Sequence, residues 1–338
     1  TGIYILFYLI IASAFCIMVG LFYRLAAIVF FLTFIYVELF DASNYLNHYY
    51  FISVMSFLMI WLPLNRHCSV DAYFRPHIRQ TSVPFWMVFI VRFQLGIVYF
   101  FAGFAKLNPD WMIDALPMAI WLKANTGFPI IGRLFDYHWV ALLMSWAGAF
   151  YDLTIPLWLS VRKIRPFAYL TVIIFHLMTA MLFNIGVFPY VMIAMTLIFF
   201  DAEDYRHLFT RYSPQLPTPN TQPQPIKTWV MIALLLFFSY QVLMPLRHYL
   251  YAGNTNWTME GYNFAWRVML NEKTGYTTFT VINPQTEQSW LVYGSEYLSE
   301  QQMRLMTYQP DMMVQFAHFL ETQYRENPDD NLIVTVEA

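Results

Sequence analysis

Lys106 closes an apolar, aromatic run, "YFFAGFAK" at 99–106, and raises a chemical question. An amine at the edge of a dry site can act as a base, because burial in an apolar surround favours its neutral form. Tyr99, Phe100, Phe101 and Phe104 supply such a surround. Arg92, Asp152 and His176 also interrupt apolar stretches, and His48 stands at the entrance of another. Ionisable groups in such stretches are costly and mark function by default. Each has an ordinary alternative. A lysine at a helix end snorkels to water, and a lone histidine packs as a hydrogen-bonded core residue. Arg92 and Asp152 fall at similar estimated depths on neighbouring segments, so the economical reading pairs them as a structural ion pair. The histidines show no His-x-x-x-His spacing and the cysteines no Cys-x-x-Cys spacing, so no metal is expected.

These residues must be positioned by membrane helices. The 338-residue chain is 59% apolar and only 12% charged, about half the charged share of an average soluble domain. Its mean hydropathy is +0.46. A net charge of −2 gives no reason to expect a nucleic-acid partner, and two cysteines, Cys16 and Cys68, exclude a disulfide framework. The chain starts without Met inside an apolar stretch, which reads as a piece of a longer protein rather than a signal peptide. A spanning helix needs about 20 apolar residues. Candidate spans run 3–19, 24–40, 49–64, 85–106, 138–160, 166–182, 187–200 and 228–246. Residues 212–226, "YSPQLPTPNTQPQPI", read as a linker.

Loop charge predicts orientation. Arg24, Arg66, Arg75, Arg79, Arg162, Lys163, Arg165, Arg206, Arg211 and Lys227 fall in alternate loops, whose face is expected to be cytoplasmic. On that topology Lys106, His48 and His176 converge on the outer half of the bundle from three different helices. The tail after residue 250 is expected on the periplasmic or lumenal side. "RVMLNEKTGYTTFTVI", "SWLVYG" and "NLIVTV" read there as strands, and 299–327 as helix interrupted near Pro310. The fold expectation is an all-α polytopic membrane bundle of about eight spans (1–250), followed by a small α+β extramembrane region (251–338).

Five segments carry a family resemblance: "NHYYFISVMSF", "NRHCSVDA", "IVYFFAGFAKLNPDW", "FHLMTAMLFNIGVFPYVM" and "NWTMEGYNFAWRVM". Taken colinearly over nearly the whole chain, they resemble the vitamin K-dependent gamma-glutamyl carboxylases and the bacterial proteins that share their transmembrane domain. The chain departs from the animal enzymes at Ala105, where they carry a second lysine, and at Leu46, where they carry a further asparagine. The resemblance implies that a vitamin K-type hydroquinone or menaquinol-type naphthoquinol is oxidised by O2 to the epoxide. CO2 is then added at the γ-carbon of a glutamate in a protein or peptide. It puts Lys106 on the catalytic lysine that deprotonates the quinol, and His176 on a family histidine that contacts the quinone or shapes its pocket. Asn47 and His48 would orient substrate and stabilise developing negative charge, while aromatic residues such as Tyr99 and Phe104 would enclose the quinone. Two other functions stay open: a quinol-oxidising or epoxidising membrane enzyme without protein carboxylation, and a non-enzymatic quinone- or lipid-binding membrane protein.

Overall fold

Apolar runs of this length close their own backbone hydrogen bonds as helices, the economical solution in lipid. The computed structural model describes residues 2–80, 82–183, 185–201, 204, 226–325 and 331–338. The expected linker, except Ile226, and the basic residues Arg206 and Arg211 lie outside the described residues. Among the described residues, six helices are long and apolar enough to cross a membrane. They are α1 (Gly2–Val19), α2 (Tyr23–Phe40), α5 (Phe85–Ala105), α8 (His138–Ser160), α9 (Arg165–Leu182) and α11 (Thr228–Leu246). Two other expected spans form shorter helices, α3 (Asn47–Trp61) and α10 (Phe188–Thr196), the latter running on into a 3-10 turn at Leu197–Phe199. Between them lie α4 (Val70–Phe74), α6 (Pro109–Met112) and α7 (Met118–Ala124), and α12 (Thr255–Thr258) follows α11.

The chain divides into two compact units, Thr1–Leu270 and Asn271–Ala338. In the first, α5 is the most enclosed long helix and α1 the least. Leu95, Val98, Tyr99 and Phe101 of α5 join Phe51 and Met55 of α3 and Ile155 of α8 in one core. Lipid tails are as apolar as leucine, so helices associate there through close packing and polar contacts rather than by escaping water. Gly103 is one such packing point: a Cβ there would lie 2.8 Å from the Leu153 backbone nitrogen and 3.1 Å from Asp152 Cβ. That approach sets the α5–α8 register. Gly103→Ala is therefore expected to lower the thermal unfolding temperature in detergent, by an overpacking cost of about 1–3 kcal/mol. Gly96→Ala is the control, since nothing lies within 4 Å of the added methyl; equal effects of the two would contradict the register argument.

The α1–α2 turn is held from a distance. Phe22 takes a left-handed φ of 45° at the start of α2. The Asp71 carboxylate of α4 accepts from the Phe22 and Tyr23 backbone N–H groups, each at 3.0 Å. Burial works against that carboxylate, but the two N–H groups, Asn65 and Arg75 together outweigh it and hold its pKa below the usual carboxylate range.

In the second unit, β1 (Thr278–Asn283) is the central strand of an antiparallel sheet, flanked by β2 (Gln288–Val292) and β3 (Ile333–Glu337). Alternate residues of β1 are buried, as a one-sided strand requires. The helices α13 (Glu300–Met306) and α14 (Pro310–Tyr324) supply Met306, Phe316 and Leu320 to the core over Phe279 and Val281. Pro310 occupies the first turn of α14, so the expected interruption is a helix start. The strand expected from Arg267 begins only at Thr278. Trp266 and Leu270 are instead packed in the two cores of the first unit.

Candidate active site

The sequence after Lys106 is a turn with a purpose. Asn108 donates through Nδ2 to the Ala105 carbonyl at 2.9 Å, at the end of α5. Its Oδ1 accepts from the Trp111 N–H at 3.0 Å, capping α6, and Pro109 fills the first helical turn. The tight reversal brings the Trp111 ring back over Lys106, 5.4 Å from Nζ to the ring centroid. Trp111 is fixed in turn by an indole N–H bond to the Ser145 carbonyl at 2.8 Å.

Lys106 does not snorkel. It is 6% exposed, and its Nζ donates to Asp152 Oδ2 at 2.8 Å and to the Ala102 carbonyl at 3.2 Å. The structure therefore corrects the expected Arg92–Asp152 pair: the partner of Asp152 is Lys106. Arg92 instead donates to the carbonyls of Ile198 and Phe199, at 2.9 and 3.1 Å, and to Asp201 at 3.2 Å. Equal estimated depth misled because register follows the Gly103 contact rather than the span ends. Asp152 sits opposite Gly103, whereas Arg92 lies about 16 Å back along α5 at a rise of about 1.5 Å per residue.

Asp201 also accepts from Arg165 at 2.9 Å, so one carboxylate joins α5 and α9. Burial alone would raise the Asp201 pKa, but Arg165 and Arg92 more than offset it and hold the pKa below the ordinary range. A depressed carboxylate contributes stability above its unfolded pKa of about 3.9 and loses it as pH falls through the folded value. Acid unfolding monitored by near-UV circular dichroism is expected to lose this contribution below about pH 4. Asp201→Asn should flatten that step and leave the slope above about pH 5 unchanged.

A cavity of about 230 Å³ opens on the Lys106–Asp152 pair. Tyr99 and His176 also line it, among mainly apolar side chains including Trp121, Phe175, Phe188 and Met269. The Tyr99 hydroxyl lies 3.1 Å from His176 Nε2, donating to it when that nitrogen is unprotonated. His176 is 3% exposed. Four of the residues singled out in the sequence thus meet at one cavity, brought there by α5, α8 and α9. The others do not line it. His48 is separated by a ring: Phe188 stands 5.7 Å from the His48 centroid and 6.2 Å from that of His176. Asn47 donates to the Arg267 carbonyl at 2.9 Å, next to the lining residues Val268 and Met269. Phe104 stacks on Phe100 at 5.9 Å and lines a different cavity.

Sequence reasoning missed Trp111, Tyr151 and the 265–269 segment. Trp111, five residues after the lysine, and residues 265–269 both lay within the quoted segments without being assigned to the site. Tyr151 stacks on Phe175 with centroids 3.9 Å apart, behind His176. Nothing in its apolar surroundings distinguished it.

The arrangement sets an amine–carboxylate pair and an imidazole at the polar positions of a mainly apolar cavity. Comparison with known families gives two matches along the chain. Residues 1–203 match the model of the HTTM domain, and residues 226–338 match that of the vitamin K-dependent gamma-carboxylase lumenal domain. No solved structure gives a significant match.

Proposed function

Because the chain belongs to the HTTM family and carries the gamma-carboxylase lumenal domain, we propose that it is a quinol-dependent membrane carboxylase acting on glutamate in a protein or peptide. The observation that carries the reading is the buried Lys106–Asp152 pair facing an apolar cavity. The cavity fits a naphthoquinol head: it has flat aromatic walls, one imidazole and one base. When bound, the reduced naphthoquinone supplies, through its oxidation by O2 to the epoxide and water, a base strong enough for the glutamyl γ-carbon. No amino-acid side chain reaches that strength.

The residues of the chain have the milder task of taking the proton from a phenol-like hydroxyl. Lys106 is the group placed to accept the quinol proton, with the Asp152 carboxylate beside its amine and the Trp111 ring over it to receive the positive charge that results. His176, held by Tyr99, binds the opposite oxygen and orients the ring. His48 and Asn47 act from outside the cavity, through Phe188 and through the backbone of the 265–269 segment. The site excludes water by its apolar walls, which strengthens each of these contacts.

The test supplies purified protein with a reduced naphthoquinone, labelled bicarbonate and a Glu-bearing peptide. Epoxide and fixed label are read separately. Both products are expected. Epoxide without label would leave a quinol-oxidising enzyme, and neither product would leave a quinone- or lipid-binding protein.

The same reading puts the C-terminal region on the periplasmic or lumenal face, supported by the loop charges and the lumenal-domain match. In a chain with Cys16 and Cys68 replaced, an impermeant thiol reagent on intact cells is expected to label a cysteine at Glu287 and spare one at Lys163. The reverse pattern would overturn the orientation.

A further inference from the structure

Buried polar atoms normally find a hydrogen-bond partner, and each exception needs a physical reason. Among the described residues, six buried side-chain nitrogen or oxygen atoms have no partner in the protein. Two of them, Ser145 Oγ and Tyr151 Oη, belong to α8. The other four are Glu38 Oε1, Gln94 Oε1, Arg247 Nη1 and Trp266 Nε1. They come from α2, from α5, from the 3-10 turn that follows α11 and from the stretch 263–266. Far apart in sequence, they gather around two tyrosines.

Tyr50 of α3 stacks on Trp266 with centroids 4.8 Å apart and donates to Gln241 Oε1 at 3.3 Å. Gln94 Nε2 donates to the same oxygen at 3.3 Å. Phe264 meets the Tyr50 and Tyr45 rings edge-on, at 5.0 and 4.7 Å. The Arg247 guanidinium lies over Phe264, 5.9 Å from its centroid, and its Nη2 donates to the Asn263 carbonyl at 2.7 Å. Ser53, about one turn along α3 from Tyr50, donates to Glu38 Oε2 at 2.6 Å. Burial pushes the Tyr45 hydroxyl pKa up, and the Phe264 N–H works against that. Beyond these, Glu38 raises it and Arg247 lowers it, so both charges stand within electrostatic reach of one hydroxyl.

The four atoms are complementary. Glu38 and Gln94 offer acceptors, and Arg247 and Trp266 offer donors. Glu38 is 6% exposed, Gln94 0% and Trp266 1%. Among the described residues, neither Glu38 nor Arg247 has a direct ion-pair partner. Water both donates and accepts, and buried water makes about three hydrogen bonds to groups that lack other partners.

We propose that ordered water occupies this cluster and joins the Glu38 carboxylate to the Arg247 guanidinium as a water-bridged ion pair. The bridge is a latch on the stretch 263–266. That stretch needs one, because Phe264 and Trp266 hold left-handed φ values of 59° and 56°. Bulky residues rarely adopt this backbone, and it persists only where the surroundings over-determine it. Arg247 holds Asn263, the Tyr45 hydroxyl accepts from the Phe264 N–H at 2.6 Å, and Tyr50 covers Trp266. Two residues further on, Val268 and Met269 line the cavity at Lys106. The latch therefore fixes a wall of that cavity, whatever the cavity binds.

Two measurements on the full chain in detergent test the water and the bridge. X-ray radiolysis makes hydroxyl radicals from bound water, which oxidise the side chains that touch it even where bulk solvent does not reach. Trp266 is expected to be oxidised several-fold faster than Tyr23. Tyr23 is the control: it is 2% exposed and its hydroxyl is satisfied by the Met59 carbonyl at 2.6 Å. Trp266 labelled no faster than Tyr23 would overturn the water. Hydrogen exchange read by mass spectrometry then follows residues 259–270 in Glu38→Gln, Arg247→Gln and the double variant. Each single change should speed exchange there several-fold while leaving α9 unaffected. The double should exchange no faster than the worse single, because the second change removes the charge that the first left unpaired. Effects that multiply would overturn the bridge, and equal acceleration in α9 would overturn the latch. Should a single variant fail to fold, the double is expected to recover folding, and its failure to do so would also overturn the bridge.

Discussion

Replacing Lys106 by alanine is expected to reduce quinol oxidation by roughly 10²- to 10⁴-fold, the usual worth of a positioned general base. Replacing it by arginine should be nearly as damaging, and this is the informative comparison. Arginine keeps the positive charge and can pair with Asp152 as well as lysine does, so it preserves the ion pair and the fold. It stays protonated in proteins and cannot accept the quinol proton. If Lys106 acted by its charge, for example by holding an oxyanion, the arginine variant would retain much of the activity. The burial of Lys106 means that the alanine variant loses stability as well, so rates are compared per folded molecule, counted by size-exclusion and naphthoquinone binding. A small primary amine in the buffer should restore part of the oxidation in Lys106→Ala, and more at higher pH, where more of the amine is neutral. An active arginine variant with no amine rescue in the alanine variant would move the search for the base to His176, the imidazole that lines the same cavity.

Asp152→Ala is expected to have the largest effect on stability. It leaves the Lys106 ammonium buried beside Trp111 with no counter-charge, and breaking one side of a buried pair costs about 3–5 kcal/mol. Replacing both partners by apolar residues of similar volume, Lys106→Met with Asp152→Leu, removes both charges and the desolvation cost they carry. Thermal unfolding in detergent should therefore find the double variant well above Asp152→Ala, while quinol oxidation stays absent in both. A double variant no more stable than the single one would mean that the two residues do not act as a pair. Asp152→Asn separates charge from shape. It keeps a hydrogen-bond partner for Lys106 but removes the negative charge beside the amine, so its pH profile for quinol oxidation should shift rather than merely scale down.

The sequence alone was enough to determine the membrane-helix class, because runs of apolar residues long enough to cross a bilayer announce themselves by composition and length. Breaks between them carry local signals too, since Gly20 and Pro166 have backbone preferences that do not depend on distant residues. Lys106, Asp152 and His176 could be singled out because a charge or imidazole in an apolar run is expensive, and the neighbouring motifs carried the family resemblance. Which of these groups touch was not legible. Lipid and protein interior are equally apolar, so hydrophobic periodicity does not say which face of a membrane helix points inward, and span ends do not set register. The close approach at Gly103 decided that Asp152 belongs to Lys106, and the turn at Asn108 decided that Trp111 covers the pair. His48 shows the same limit from the other side. It enters the bundle where the sequence places it, yet the Phe188 ring keeps it out of the cavity. The tail boundary follows this logic too: the apolar character falls away after residue 250, but Trp266 and Leu270 find their packing partners among the helices, and long-range packing is written in no local pattern.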